Sequence, residues 1–304
     1  MKISSYNEWD TLREVVVGTA THANWPKNDP VFNQESSKTT WLDSPVPSGA
    51  VAPWIIQEAN EDLQILADTL SSLGVKVHRP QEYDYQAHDG MYGYCPRDRL
   101  LVYGDQVVDC TMMYPCREQE ISTYTDVLHH AGQVLVMEKN LGHICDAANV
   151  LRLNDKWLYL RSASGNALGY QWLSNAFPDV TIESCNFYAG VHIDSTITPL
   201  REGLVVLNAS RVTPENLPLS LKNWDKIWVD DVVAQGFHEY PFASKWIAMN
   251  MLAVDPSTVI VDQEQTALIR TLEQHKFQVI PLQLRHSRTL GGGFHCVTLD
   301  LHRS

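Results

Sequence analysis

Apolar positions along the chain recur at two spacings, and the alternation between them divides it into modules. In NEDLQILADTLSSLG, Leu63, Ile65, Leu66, Leu70 and Leu73 fall mostly at helical spacing. The run ends at Gly74, a fitting C-cap, and VKVHRP follows as a short strand. DVLHHAG followed by QVLVME, and QTALIRTLEQHK followed by FQVIPLQ, repeat that helix-then-strand plan. A second pattern reads strand, turn, strand: RLLVYGDQVVDC, VLRLNDKWLYLR, DSTITPLREGLVVLN and MLAVDPSTVIVD each break at an Asp, Asn, Gly or Pro. Together they make about five loose copies of a strand, strand, helix, strand unit. Small αβ units of this kind share one core, so residues 1–304 are expected to form one α/β domain closed into a ring. Strand ends from different modules then meet at the centre, and polar motifs at those ends become candidates for a single site.

The pattern fails between residues 24 and 52, where WPKNDPVFNQ and LDSPVPSGAVAP mix Pro, Ser and Asn with aromatic residues. This stretch reads as an irregular loop, either a lid or site wall or a passive excursion.

Composition narrows the classes. No apolar run approaches the roughly 18 residues of a membrane span, and MKISSYNEWD has no apolar signal-peptide core, so a cytoplasmic protein with no membrane contact is expected. A net charge of -13 argues against a nucleic-acid partner and favours small polar or cationic ligands. Cys95, Cys110, Cys116, Cys145, Cys185 and Cys296 show no CxxC spacing, so neither a disulfide framework nor a zinc ribbon is indicated.

Four polar clusters sit at strand edges: PRD (Pro96 to Asp98), CDAAN (Cys145 to Asn149), GVHID (Gly190 to Asp194) and the closing GGGFHC. Taken singly, Cys296 reads as a structural thiol, His192 as a surface histidine and Asp146 as a backbone cap. The glycine run inside an apparent strand changes the reading of Cys296, because it leaves room for a ligand beside the thiol. His-Ile-Asp read as strand puts His192 and Asp194 on one face. Carboxylates can fix a guanidinium plane by paired hydrogen bonds, a thiolate can add to its central carbon, and an imidazole can protonate the departing nitrogen. His143, Cys145, Asp146, His192, Asp194, His295 and Cys296 are zinc-type ligands in no zinc-type spacing, so no metal is expected. No phosphate-binding glycine loop is present and no cofactor is expected.

NEWDTLREVVVG, CPRD, CDAAN, HIDST, FASKWIAMN and the closing GGGFHC, in this order along the chain, resemble the arginine:glycine amidinotransferase family and its bacterial secondary-metabolite members. The resemblance implies the pentein fold, a five-bladed αβ-propeller of pseudo-fivefold ββαβ modules. It also implies transfer of the amidino group of an L-arginine donor, with ornithine released, to a small amine acceptor. By matching motif, Cys296 would be the nucleophile, His192 the general acid and then base, and Asp146 the carboxylate that orients His192 or the guanidinium. Asp98 and Asp194 resemble the guanidinium-holding acids, Arg211 the arginine for the donor carboxylate, and Ser244 a donor-binding serine. Family members are often dimers, which points to a homodimer.

Two positions depart from the family pattern. Asn149 replaces a second acid, and Ala189 and Val191 stand where the glycine-using enzyme carries bulkier Asn and Met. The smaller pair implies a wider acceptor pocket, for a longer amino acid, a polyamine or an amino sugar. Two other readings stay open: water as acceptor, as in arginine deiminase-like hydrolases, and a silent arginine-binding protein of the same fold.

Overall fold

The computed structural model describes residues 1–37 and 46–304. Five three-stranded sheets repeat one design, with an antiparallel pair followed by a strand added in parallel. The second sheet runs Leu100–Tyr103, Gln106–Asp109, Gln133–Val136 and the third Val150–Leu153, Lys156–Leu160, Thr181–Cys185. The fourth runs Ile197–Arg201, Leu204–Asn208, Asp225–Val229 and the fifth Leu252–Asp255, Thr258–Asp262, Gln278–Leu282. In the first sheet the chain ends meet: Leu12–Val17 pairs antiparallel with Thr298–Arg303 and parallel with Lys76–His78. The C-terminal strand therefore completes the module begun at the N-terminus, which closes the propeller.

A parallel addition needs a crossover, and in four modules it is helical: Pro53–Ser72, Thr125–His130, Ala167–Ala176 and Thr266–Gln274. The fourth module crosses over with only the 3₁₀ turn Leu219–Leu221. Helix Pro53–Ser72 starts with Pro at its first position, buries Ile55, Ala59, Leu63, Leu66 and Leu70 along one stripe, and ends before Gly74 at φ 84°. Its stripe packs on Val15 and Val17 of the first sheet. Truncating a side chain such as Leu66 to Ala should cost about 2–5 kcal/mol.

A buried ionic network joins the modules at the ring centre. Every N–H of the Arg152 guanidinium is used: Nε and Nη2 donate to Glu8 at 2.9 and 3.0 Å, Nη2 to Asp300 at 2.6 Å, and Nη1 to Ser5 and the Val102 carbonyl. Arg97 spans the same space, its Nε donating to the carbonyls of His295 and Thr298. Burial alone would raise the Glu8 and Asp300 carboxyls, but the surrounding arginines hold both well below the usual range.

Three local expectations are corrected. GGGFHC is not strand: helix Ser287–Leu290 ends at Gly291, and the strand begins only at Thr298. Gly291 lines the cavity that holds Cys296, whereas Gly292 and Gly293 serve close packing. A Cβ on Gly292 would lie 2.5 Å from Cys95 Sγ, and one on Gly293 2.6 Å from Asn250 Cβ, so the close neighbours are protein atoms. Likewise 190–196 is a bend and turn ahead of Ile197, with Thr196 N–H donating to Ile193 O, so strand alternation does not relate His192 to Asp194. The stretch read as an irregular loop over 24–52 contains helix Pro30–Ser37 and the paired segments Asn24–Trp25 and Gly49–Ala50, while 38–45 lies outside the described residues.

Candidate active site

Pseudo-symmetry gathers the site. Asp98 lies in the short helix Pro96–Arg99 ahead of Leu100, Asp146 caps Ala147–Asn149 ahead of Val150, and Asp194 precedes Ile197. Asn250 precedes Leu252, and Cys296 precedes Thr298. Each is the inward turn before the first strand of a module, so five segments far apart in sequence converge.

A cavity of about 210 Å³ is lined by Cys296, His192, Asp194, Arg211, Ser244 and Val191. His192 stands between two buried carboxylates. Its Nε2 lies 3.0 Å from Asp146 Oδ2, and its Nδ1 lies 3.5 Å from Asp98 Oδ1. Asp146 does not cap its own turn through its side chain. Its Oδ1 accepts the Met113 N–H at 2.7 Å, which fixes the carboxylate against His192. Asp98 is anchored through Oδ2 by Arg117 Nη1 at 2.7 Å, and Arg117 is held in turn by Glu120. Asp98 Oδ1 is buried and has no hydrogen-bond partner among the described residues, leaving an acceptor free for a ligand N–H.

Burial would lower the pKa of His192, but the Asp98, Asp146 and Asp194 carboxylates outweigh it and raise the value to about 9. The imidazole is therefore protonated at neutral pH. Cys296 goes the other way: the adjacent Cys95 thiol, burial, and the Asp194 and Asp98 carboxylates push it well above the ordinary thiol range. The ligand-free site thus pairs an imidazolium with a neutral thiol, and a cationic ligand among the three carboxylates would lower the cost of the thiolate.

Cys296 is positioned by Asn250, which the motifs did not single out, together with Asp194 and His295. Asn250 Oδ1 accepts the N–H groups of both His295 and Cys296, at 2.8 and 2.9 Å. Asp194 Oδ2 accepts from Cys296 Sγ at 3.3 Å and from His295 Nδ1 at 2.9 Å, while His295 Nε2 lies 3.2 Å from Glu8. Burial would raise the Asp194 carboxyl, but His295 and His192 hold it at about 2. Asn250 lies in FASKWIAMN and His295 in GGGFHC, so the segments were visible although the roles were not.

At the other end of the cavity, Arg211 Nη1 donates to Thr196 Oγ1 at 2.8 Å and Nη2 to Ser244 Oγ at 3.4 Å, with its guanidinium 4.3 Å from the Tyr188 ring centre. It has no carboxylate partner among the described residues. Burial disfavours its charge, which an anionic ligand group would offset. The cavity therefore offers the Asp194 carboxylate and a thiol at one end, with Asp98 and Asp146 behind His192, and a cation with a hydroxyl at the other, which fits an amino acid with a cationic side chain. Ala189 and Val191 do not share one space: Val191 lines this cavity and Ala189 lines a neighbouring one. Among the described residues, no group of three or more His, Cys, Asp or Glu side chains is placed to hold a metal ion. No described helix is long and apolar enough to cross a membrane.

The chain is 42% identical over 340 residues to inosamine-phosphate amidinotransferase 1 of Streptomyces griseus, across 99% of this chain and 97% of that protein. The solved structure of the inosamine-phosphate amidinotransferase of Streptomyces griseus superposes with a TM-score of 0.89 at 40% identity, covering 99% and 97% of the two chains. An amidinotransferase of the saxitoxin biosynthetic pathway from Microseira wollei superposes with a TM-score of 0.88 at 27% identity, again over 99% and 97%. A dimethylarginine dimethylaminohydrolase, 13% identical, shares the fold alone, with a TM-score of 0.69 over 95% and 99%. No protein-family model matches the sequence.

Proposed function

Because the chain belongs to the amidinotransferase family, has its pentein fold and is an arginine-dependent amidinotransferase, we propose that Cys296 carries the amidino group between donor and acceptor. Arginine enters with its carboxylate on Arg211 and Ser244 and its guanidinium between Asp98 and Asp194. The free Asp98 Oδ1 accepts one of its N–H groups. Cys296 Sγ forms a bond to the guanidinium carbon, and the bond from that carbon to the side-chain nitrogen breaks. The thiol proton ends on the departing nitrogen through His192, and ornithine leaves as an amine. An acceptor amine then attacks the same carbon, the C–S bond breaks, and the amine proton returns to sulfur by the same route. Asp146 keeps His192 aimed at this line.

The observation that carries this reading is the single cavity in which a thiol, an imidazolium and the Asp194 carboxylate, with Asp98 and Asp146 behind His192, face an arginine that has no carboxylate partner among the described residues. The small Val191 on its wall supports an acceptor larger than glycine. The Streptomyces griseus relative is named for an inosamine phosphate, and we take a phosphorylated amino-cyclitol as the acceptor class here. We place the reaction in the cytoplasm, where thiols stay reduced.

Mass spectrometry of protein incubated with arginine alone is the test. The expected result is a stoichiometric amidino adduct on Cys296 with one equivalent of ornithine, discharged only on adding an amine. Cys296→Ala should give neither product. Steady citrulline would show that water is the acceptor and overturn the transfer reading.

A further inference from the structure

Beside the catalytic cavity lies a second one, of about 500 Å³, whose lining includes Arg161, Ser162, Asn166, Ser184, Asn186 and Ala189. The two meet at one stretch of backbone. Ala189 faces the second cavity, Gly190 and Val191 face the first, and three residues extend at most about 10 Å. The chemistry of the two differs sharply: three carboxylates converge beside the catalytic cavity, and among the described residues no carboxylate lines the second.

Arg161 is exposed and its side chain has no hydrogen-bond or ion-pair partner among the described residues, whereas arginines at the ring centre are fully engaged. Glu183 adjoins Ser184 on the strand Thr181–Cys185, so it points to the opposite face. It is occupied there by the N–H groups of Leu219 and Ser220 and the Ser220 hydroxyl. Behind Ser162 stands Asn149, the position where the sequence departs from a second acid. Asn149 Nδ2 donates to Ser164 O and Oγ at 2.6 and 2.8 Å, and its Oδ1 accepts from Ser162 Oγ at 3.3 Å. A carboxylate here would face the Ser164 carbonyl without a proton to share and would place negative charge behind the cavity. The neutral amide fixes the 162–165 turn and leaves Arg161 as the only charged group lining the cavity among the described residues. The ten-residue helix Ala167–Ala176 begins at Asn166 on the cavity wall, adding the positive end of its dipole.

We propose that this second cavity is the anion subsite of the acceptor, in which Arg161, helped by Ser184 and Asn186, holds the phosphate of a phosphorylated polyhydroxylated amine. The acceptor amine then reaches over Gly190 and Val191 to the amidino-Cys296 carbon. The inference rests on the acceptor class proposed above. It adds a location and a residue, and it gives Asn149 and Ala189 a shared purpose: a neutral amide behind the second cavity and a small side chain on its wall.

Arg161→Ala, Arg161→Lys and the unaltered enzyme, matched for thermal midpoint, are compared with an inosamine phosphate and with the same inosamine lacking phosphate. Losing a charge-assisted arginine–phosphate contact should raise KM for the phosphorylated acceptor roughly 10- to 100-fold. The unphosphorylated acceptor should show no comparable change, and Lys should restore part of the loss. Equal kinetics of Arg161→Ala and unaltered enzyme on the phosphorylated acceptor would overturn the proposal, as would an equal loss on both acceptors. Calorimetry with inorganic phosphate separates the two readings. Phosphate binding that Arg161→Ala weakens, in an enzyme that refuses inosamine phosphate, would sink the acceptor class and leave the subsite standing. Phosphate binding indifferent to Arg161 would sink the subsite.

Discussion

Replacing Asp146 by Asn asks whether a carboxylate, rather than the shape of the pocket, sets the protonation of His192. Asn keeps the volume and an oxygen for the Met113 N–H, but removes the charge 3.0 Å from His192 Nε2. The His192 value of about 9 stands above an ordinary 6.5. At 1.36 kcal/mol per unit, that difference favours the imidazolium by roughly 3 kcal/mol. Asp98, Asp146 and Asp194 share this effect, so losing one should lower the value by about one to two units, or ~1.4–3 kcal/mol. The raised group is fully protonated below its pKa and loses its proton as pH rises through it. In the transfer proposed above, ornithine formation draws that proton for the departing nitrogen, so the rate should fall on the alkaline side. The limb is expected at about 9 in the unaltered enzyme, and at roughly 7–8 in the variant. At about pH 8.5 the protonated fraction would drop from roughly three quarters to roughly a tenth, whereas near pH 6.5 the two enzymes should differ much less. Single-turnover ornithine release with saturating arginine, followed across this range, gives both limbs. A rate loss independent of pH, with the limb still near its unaltered position, would refute the assignment of Asp146 as the group that holds His192 charged.

Three further perturbations probe other parts of the structure. Arg211→Ala should raise KM for arginine roughly 10- to 100-fold by removing a charge-assisted contact, and the difference should vanish with agmatine, which has no carboxylate; an equal loss on both donors would count against the carboxylate role. Gly292→Ala puts a Cβ 2.5 Å from Cys95 Sγ and 3.0 Å from the Tyr94 ring, so overpacking should cost about 1–3 kcal/mol in denaturant unfolding. Much of that cost should disappear in a Cys95→Ala background, and simple additivity would show the clash lies elsewhere. Glu8→Gln breaks the buried pairing with Arg152 and should destabilise by about 3–5 kcal/mol. The low values of Glu8, Asp300 and Asp194 mean that their contribution is present above the ordinary carboxylate range and is lost as pH falls toward 2. Thermal melts at descending pH should accordingly show a shallower acid loss for the variant.

Much of the architecture was legible because it is local. Tyr103, Asn154, Gly203 and Asp255 all stand at or beside the breaks of strand pairs whose alternation the sequence displays, and the four pairs read from those breaks are all found as antiparallel pairs, whereas the pairing of the two chain ends has no local signal. Helix Pro53–Ser72 was equally visible, since its apolar stripe is long and Gly74 ends it. Helix Pro30–Ser37 was not, because PVFNQESS carries only two apolar side chains after its proline and shows no repeat. The segments around His192 and Cys296 looked like strand because Val, Ile and Phe flank them. Their backbone N–H groups instead bond within turns or across modules, as Ile193 does to Ala148 O and Phe294 to Asn250 O.

The sequence by itself determined the modules and, through the motifs at their strand edges, most of the chemistry: a thiol, an imidazole, carboxylates and an arginine suited to a cationic amino acid. Tertiary structure alone decided how these groups act on one another. Cys296 meets Asp194 across 102 positions and His295 meets Glu8 across 287, contacts that exist only because the ring closes. That closure buries the thiol beside Cys95 and carboxylates, holding it neutral, and sets His192 between Asp98 and Asp146, holding it charged. A pKa depends on distance and burial, and neither quantity is written along a chain.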